Sequence, residues 1–240
     1  MSRFKIYYKA FIYVGKQIKE DAMLFVAMFA PLFAGVFFHF AIPSIEMRAC
    51  EYFGKEQIFY PYYDLFDLLL AAIAPIMAGF ICAMVMLSER DDGIISYMSV
   101  TPLGRKGYFI SRVFIPASLS LVASFLTVVI FHIGKLNLAT ILIMNAFSMA
   151  MGILISLFIY DLSGNKVEGM AIGKLSGIII LGIFVPYFIT SNVQYLAAVL
   201  PSYWLGKYRV MNTPGSLGIG VIVLIVWLVV LYKKAIAKGQ

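Results

Sequence analysis

The chain has 240 residues, of which 62% are hydrophobic and only 13% charged, with a mean hydropathy of +0.92. A soluble domain carries about 25% charged residues and under about 50% apolar ones, so a soluble enzyme is excluded and an all-α polytopic membrane protein is predicted. The net charge of +7 is clustered between long uncharged runs, which points to membrane topology rather than to nucleic acid.

Residues 1–21 are amphipathic. Phe4, Tyr7, Tyr8, Phe11, Val14 and Ile18 recur at helical spacing on one side, with Lys5, Lys9, Lys16, Lys19 and Glu20 on the other. A basic amphipathic helix just before a span is expected to lie in the membrane interface. The first apolar run is far longer than that of a cleavable signal peptide, so none is expected.

Six spans are predicted: Ala22–Pro43, Leu65–Ser88 with Asp67 at one end, Val113–Gly134, Leu138–Tyr160, a fifth beginning near Leu175, and Ser216–Tyr232. Each is long enough for a hydrocarbon core of about 30 Å at about 1.5 Å per residue. The uncharged run from Leu175 to Gly206 is too long for one span and short for two. Thr190, Ser191 and Asn192 break it, and Tyr195–Leu205 reads as a short re-entrant or interfacial helix interrupted by Pro201. Tyr195, Tyr203 and Trp204 suit an aromatic belt at headgroup level. The whole chain, 1–240, reads as one membrane domain without repeats.

Charge sets the orientation. With six spans, Arg3, Lys5, Lys9, Lys16 and Lys19 share a side with Arg90, Arg105, Lys106 and Arg112, with Lys166 and Lys174, and with Lys233, Lys234 and Lys238. Only Arg48, Lys55, Lys135, Lys207 and Arg209 fall on the other. Both termini are therefore expected in the cytoplasm of a multi-pass protein. The outer loop Ser44–Asp67 is rich in acids and aromatics, either an interfacial shelf or a lid for an amphipathic cargo.

Catalytic signatures are absent. There is no HExxH pair and no GxSxG elbow. His39 and His132 lack carboxylate and thiolate partners in the pattern, so no metal site is predicted, and Cys50 and Cys82 lie too far apart in depth to pair readily. The run GMAIGKL at 169–175 is not a phosphate-binding loop, because its glycine spacing is wrong and no Ser or Thr follows the lysine. Acidic groups near the midplane, which ion-driven transporters need, are missing. Asp67 and Asp161 lie at span ends, where water is expected to reach them, and Asn145 is read as an interhelical hydrogen bond. The energy for any transport must come from elsewhere.

The exception to this greasy chain is LSERDDGIISYMSVTPLGRKGYF, residues 87–109. A charge at a helix centre costs about 2.5–3.5 kcal/mol, so Glu89, Arg90, Asp91 and Asp92 together cost about 10 kcal/mol and the helix must leave the bilayer there. Ile94, Ile95 and Met98 then share one face of a short helix that Thr101-Pro102 ends. Thr101 can also cap the next helix with Pro102 at its first position. Local physics leaves two readings open, a force-transmitting surface helix and an ordinary basic loop.

The stretch 89–112 resembles the signature loop of ABC type-2 permeases, E-[RK]-[DE]-x-G-[TI] followed by T-P-L-x-[RK]. Glu89, Arg90, Asp91, Gly93, Ile94, Thr101, Pro102, Leu103 and Arg105 match it. NKVEGMAIGK at 165–174 and LPSYW at 200–204 resemble the segments flanking the fifth span of small members. The resemblance implies a permease subunit of a bacterial ABC exporter in the cytoplasmic membrane, paired with a second permease and docked on a separate cytoplasmic ATPase. ATP and Mg would bind that partner, and no cofactor is expected in this chain. Residues 89–104 would form a coupling-helix loop. Glu89, Arg90, Asp91 and Asp92 would meet ATPase surface groups, while Ile94, Ile95 and Met98 would enter a groove. Gly93, Thr101, Pro102 and Arg105 would shape that loop. The apolar spans suit a hydrophobic drug, an antibiotic or an amphipathic peptide. The alternative is a non-transporting membrane scaffold or sensor whose loop docks a signalling protein.

Overall fold

A computed structural model describes the backbone of residues 3–95 and 104–238, with side chains over 12–95 and 107–235. Helix α1 spans Arg3–Glu20, and α2, Ala22–Val36, follows after Asp21. A π turn at Phe37–Ala41 joins α2 to α3, Ile42–Phe53. Then come α4 (Tyr63–Asp91), α5 (Gly104–Phe109), and α6 (Ile115–Phe131), the last two joined by a π turn at Ile110–Phe114. The rest comprises α7 (Leu138–Leu162), α8 (Lys166–Leu175), α9 (Gly177–Leu181), α10 (Val185–Phe188), α11 (Pro201–Met211) and α12 (Pro214–Lys238).

Among the described residues, five helices are long and apolar enough to cross a membrane: Ala22–Phe53, Tyr60–Asp91, Gly107–Phe131, Leu138–Leu162 and Pro214–Ala235. Two of them form the centre. The most apolar windows of α4 and α7 are 72% and 67% buried inside the protein, against 17%, 28% and 22% for the first, third and last crossing helices. Those three present their apolar faces outward, as helices in lipid do. The central pair meets at glycine. A Cβ on Gly79 would lie 2.2 Å from the Gly152 carbonyl oxygen, and one on Gly152 would lie 2.3 Å from that of Pro75. Small residues at the crossing let backbones touch, which is how membrane helices pack when hydrophobicity no longer drives them together.

The first crossing helix does not stop at Pro43, so the expected outer loop Ser44–Asp67 is largely helix. The π turn places Pro43 in the first turn of α3, where its missing N–H breaks no regular bond. Gly54 then ends α3 in the left-handed conformation at φ 62°. The remaining loop folds onto the Glu46 carboxylate, which accepts from the Ile58 N–H at 2.8 Å and the Phe59 N–H at 2.6 Å. Pro116 likewise follows a π turn and opens α6.

The expected fifth span is no single regular helix. After α8 it continues as two short helices, α9 and α10, broken from α8 at Ser176 and from each other near Gly182. Tertiary packing explains the break. A Cβ on Gly182 would lie 2.3 Å from Ser202 Oγ, and one on Gly206 would lie 2.4 Å from the Ile183 carbonyl oxygen. Helix α11 is nested against this broken segment. Pro201 starts α11 rather than interrupting a helix. Tyr203 and Trp204 are buried rather than belted at an interface, and only Tyr195 is half exposed.

Candidate functional site

Where α4 leaves the apolar region, the charges predicted to face a partner sort themselves. Glu89 is fully buried. The Arg112 guanidinium grips it with both edges, Nη2 donating to Oε1 at 2.6 Å and Nε to Oε2 at 3.0 Å. The Tyr108 hydroxyl adds a third bond to Oε2 at 2.8 Å. This fork is the strong form of ion pair, because two parallel charge-assisted bonds fix its geometry. Arg112 also sits 5.7 Å from the Tyr108 ring centroid and 5.8 Å from that of Tyr13. One buried pair therefore ties α4 to the α5–α6 unit and touches α1.

Arg90 points the other way. Its guanidinium donates to the Ser163 carbonyl at the end of α7 and lies 4.9 Å from the Tyr160 ring centroid. Asp91 remains exposed, but its carboxylate accepts the Lys166 N–H at 2.9 Å. That places an anion on the first free amide of α8, where the helix dipole favours it. Asn165 caps the same helix, accepting the Glu168 N–H at 2.9 Å, while Glu168 reaches back to the Gly164 N–H at 2.6 Å. The Lys166 ammonium then donates to Asp21 at 2.7 Å. Asp21 is the N-cap of α2, accepting the Met23 and Leu24 N–H groups at 3.0 and 3.2 Å. The Lys166 hydrogen bond holds the Asp21 carboxyl below its ordinary pKa, against a smaller opposing effect of burial. Beside this chain of contacts lies a polar recess of about 540 Å³, lined by Gln17, Glu20, Asp92 and Lys166 among others.

Of the expected coupling residues, Glu89 and Arg90 are thus committed to internal partners. Asp92 is exposed, Gly93 turns the chain at φ 71°, and Ile94 and Ile95 are half-buried, with Ile95 against the core. Met98, Thr101 and Pro102, and with them most of the expected coupling helix, lie outside the described residues, as does the side chain of Arg105. Tyr108, Ser163, Lys166 and Asp21 were not singled out as site residues from sequence. One signal was available: FISRVFI at 109–115 places an arginine inside an apolar run, and such a charge requires a buried acid.

The other end of the assembly corrects a second expectation. Asp67 is not water-exposed but buried, accepting the Ile133 N–H at 2.9 Å and the Gly134 N–H at 2.8 Å. Nearby, Arg209 pairs with Asp64 at 2.7 Å. Lys207 is buried among aromatic rings, 4.0 Å from the Tyr195 centroid and 3.1 Å from the Tyr203 hydroxyl. Asn145 does bridge helices as predicted: its side-chain oxygen accepts from Ser124, and its amide donates to the Ile141 carbonyl at 2.7 Å. Among the described residues, no three His, Cys, Asp or Glu side chains converge as metal ligands.

A family model described as "Fluoroquinolones export permease protein Rv2686c-like" matches residues 15–232. Two relatives from Mycobacterium tuberculosis are each 28% identical over 186 residues, covering 76% of this chain and 68% of their own length. They are named fluoroquinolones export permease protein MT2760, from strain CDC 1551 / Oshkosh, and Rv2686c, from strain ATCC 25618 / H37Rv. No solved structure matches the chain. The chain belongs to this family of export permeases, in keeping with the resemblance of residues 89–112 to ABC type-2 permeases.

Proposed function

From that membership, we propose that the chain is the membrane-spanning subunit of an ATP-driven exporter of the bacterial cytoplasmic membrane, with both termini in the cytoplasm. It moves amphipathic, drug-like molecules, of which the fluoroquinolones named for its relatives are the first to test. A separate ATPase supplies the energy and a second permease completes the pathway.

The observation that carries the coupling role is the weld at Glu89. Asp92 is exposed where α4 ends, and a cytoplasmic partner would dock there. This end of α4 is fixed to the turn that opens α6 through Arg112 and to α7 through Arg90. A push delivered there moves three crossing helices together instead of bending one loop. Asp91 and Lys166 extend the linkage to α8 and the α1–α2 elbow. Asp92, Ile94 and Met98 make the contact with the ATPase, while Glu89 and Arg90 transmit it and Ile95 packs the loop's base against the core.

The test is co-expression with the ATPase that co-purifies with this chain. Asp92→Lys combined with Ile94→Asp should abolish co-purification and drug-stimulated ATP hydrolysis. Intact complex and stimulation would remove the coupling role. A partner that binds but whose ATPase rate never responds to drug would instead support the scaffold reading.

A further inference from the structure

A second cavity, of about 320 Å³, lies under α1, walled by α1, α2, α4 and α6. It exists because small side chains leave it unfilled: Gly15 forms part of the roof, and Ala78 and Ala123 part of the walls. Phe25 and Met77 give it an aromatic and a polarizable thioether surface. No carboxylate lines it. The charged side chain at its edge is Lys19, which is exposed and makes no salt bridge among the described residues, whereas Lys16 pairs with Glu20 at 3.7 Å.

Resting on the export reading above, we propose that this cavity is the intake site for the transported molecule, and that it takes an aromatic carboxylic acid. Three observations point there. The volume falls in the range of about 300–1,000 Å³ typical of sites for drug-sized ligands. The almost wholly apolar lining excludes sugars and bare ions, which would lose their hydration without compensation. The Lys19 ammonium at the rim complements an anion at one end of an otherwise apolar body. A molecule dissolved in the inner leaflet reaches the slot from beneath the interfacial helix, with its carboxylate left at headgroup depth beside Lys19.

The test uses the full chain in phosphatidylcholine nanodiscs, with ciprofloxacin and its decarboxylated analogue as fluorescent probes. Gly15→Phe adds bulk to the α1 wall of the cavity, where a Cβ meets nothing within 4 Å. Ala123→Phe fills it independently from α6. Each should weaken binding of both probes by about tenfold or more, as expected when a pocket of this size is occupied. Lys19→Gln should weaken ciprofloxacin by about three- to tenfold without weakening the decarboxylated analogue, the effect fading at high salt.

The inference falls if ciprofloxacin does not bind, or if binding survives both filling variants. It also falls if phosphatidylglycerol displaces the drug in native mass spectrometry and the filling variants shed that lipid alone; the cavity is then a lipid site. Drug accumulation in cells separates the two levels. If the wild-type complex exports no drug, the export reading fails; if it exports and Gly15→Phe exports equally, only the intake site fails.

Discussion

Both ends of α4 bury a carboxylate, and the two are neutralised by different means. Asp67 lies near the helix N-terminus, where the partial positive charge of free amides already favours an anion. Two backbone N–H groups from the turn after α6 complete it. Glu89 lies in the last turn, where the dipole opposes it. It takes a full cation, Arg112, together with the Tyr108 hydroxyl. The Asp67 end is held by rigid backbone, and the Glu89 end by side chains that belong to separate helices. One end of α4 is thus fixed by backbone and the other cross-linked through side chains, the asymmetry that the proposed coupling role uses.

The largest effect should come from breaking the cation. Arg112→Leu leaves Glu89 buried and uncompensated, and should destabilise the protein by about 3–5 kcal/mol, seen as a lowered Tm in detergent or a lost folded yield. Adding Glu89→Leu to that variant should restore most of the stability while leaving transport impaired, because the weld and not the charge would be gone. A double variant that transports normally would dissolve the contrast between the ends.

Asp67→Ala should cost about 1–3 kcal/mol by orphaning the two N–H groups, and Asp67→Asn less, since one carbonyl oxygen still accepts. Its signature is faster hydrogen exchange at Ile133 and Gly134 with no change at Arg112. Tyr108→Phe removes the hydroxyl bond to Glu89 and should cost about 1.5 kcal/mol, with stimulation of the proposed ATPase partner reduced but not lost.

The smallest effect belongs to the partly exposed pair of Asp21 and Lys166. Lys166→Ala should change stability by about 0.5 kcal/mol, less at high salt. Because the folded-state pKa of Asp21 is lowered, its contribution is present above the unfolded value of about 3.9 and is lost as pH falls through the folded value. The Tm difference between the wild type and Asp21→Asn should therefore be flat from about pH 5 to 8 and shrink below about pH 4. A difference that grows on acidification would place another group at that elbow.

Much of this was legible in the chain. Continuous apolar length located α2, α4, α6, α7 and α12, because lipid tolerates no charge and every backbone amide must be satisfied within the helix. The cluster at 89–92 coincides with the end of α4 at Asp91, and Asn145 makes the interhelical bridge its mid-span position implies. Helix ends were misjudged at Pro43 and Pro201, since a proline stops a helix in one setting and starts it in another. Which applies depends on the turn that precedes it, a π turn before Pro43 and an extended Leu200 before Pro201.

Sequence by itself determined that this is an all-helical membrane protein, where its five long apolar helices run, and which loop carries the charge. Those features follow from solvation, and solvation is set residue by residue. Only the tertiary structure decided that Glu89 and Arg90 turn inward, that Asp67 is buried, and that α8 to α10 break to admit α11. Each depends on a partner distant in sequence, 23 residues away for Glu89 and Arg112 and 66 for Asp67 and Ile133. A carboxylate written in sequence looks the same whether it meets water or a guanidinium, and only packing brings the guanidinium to it.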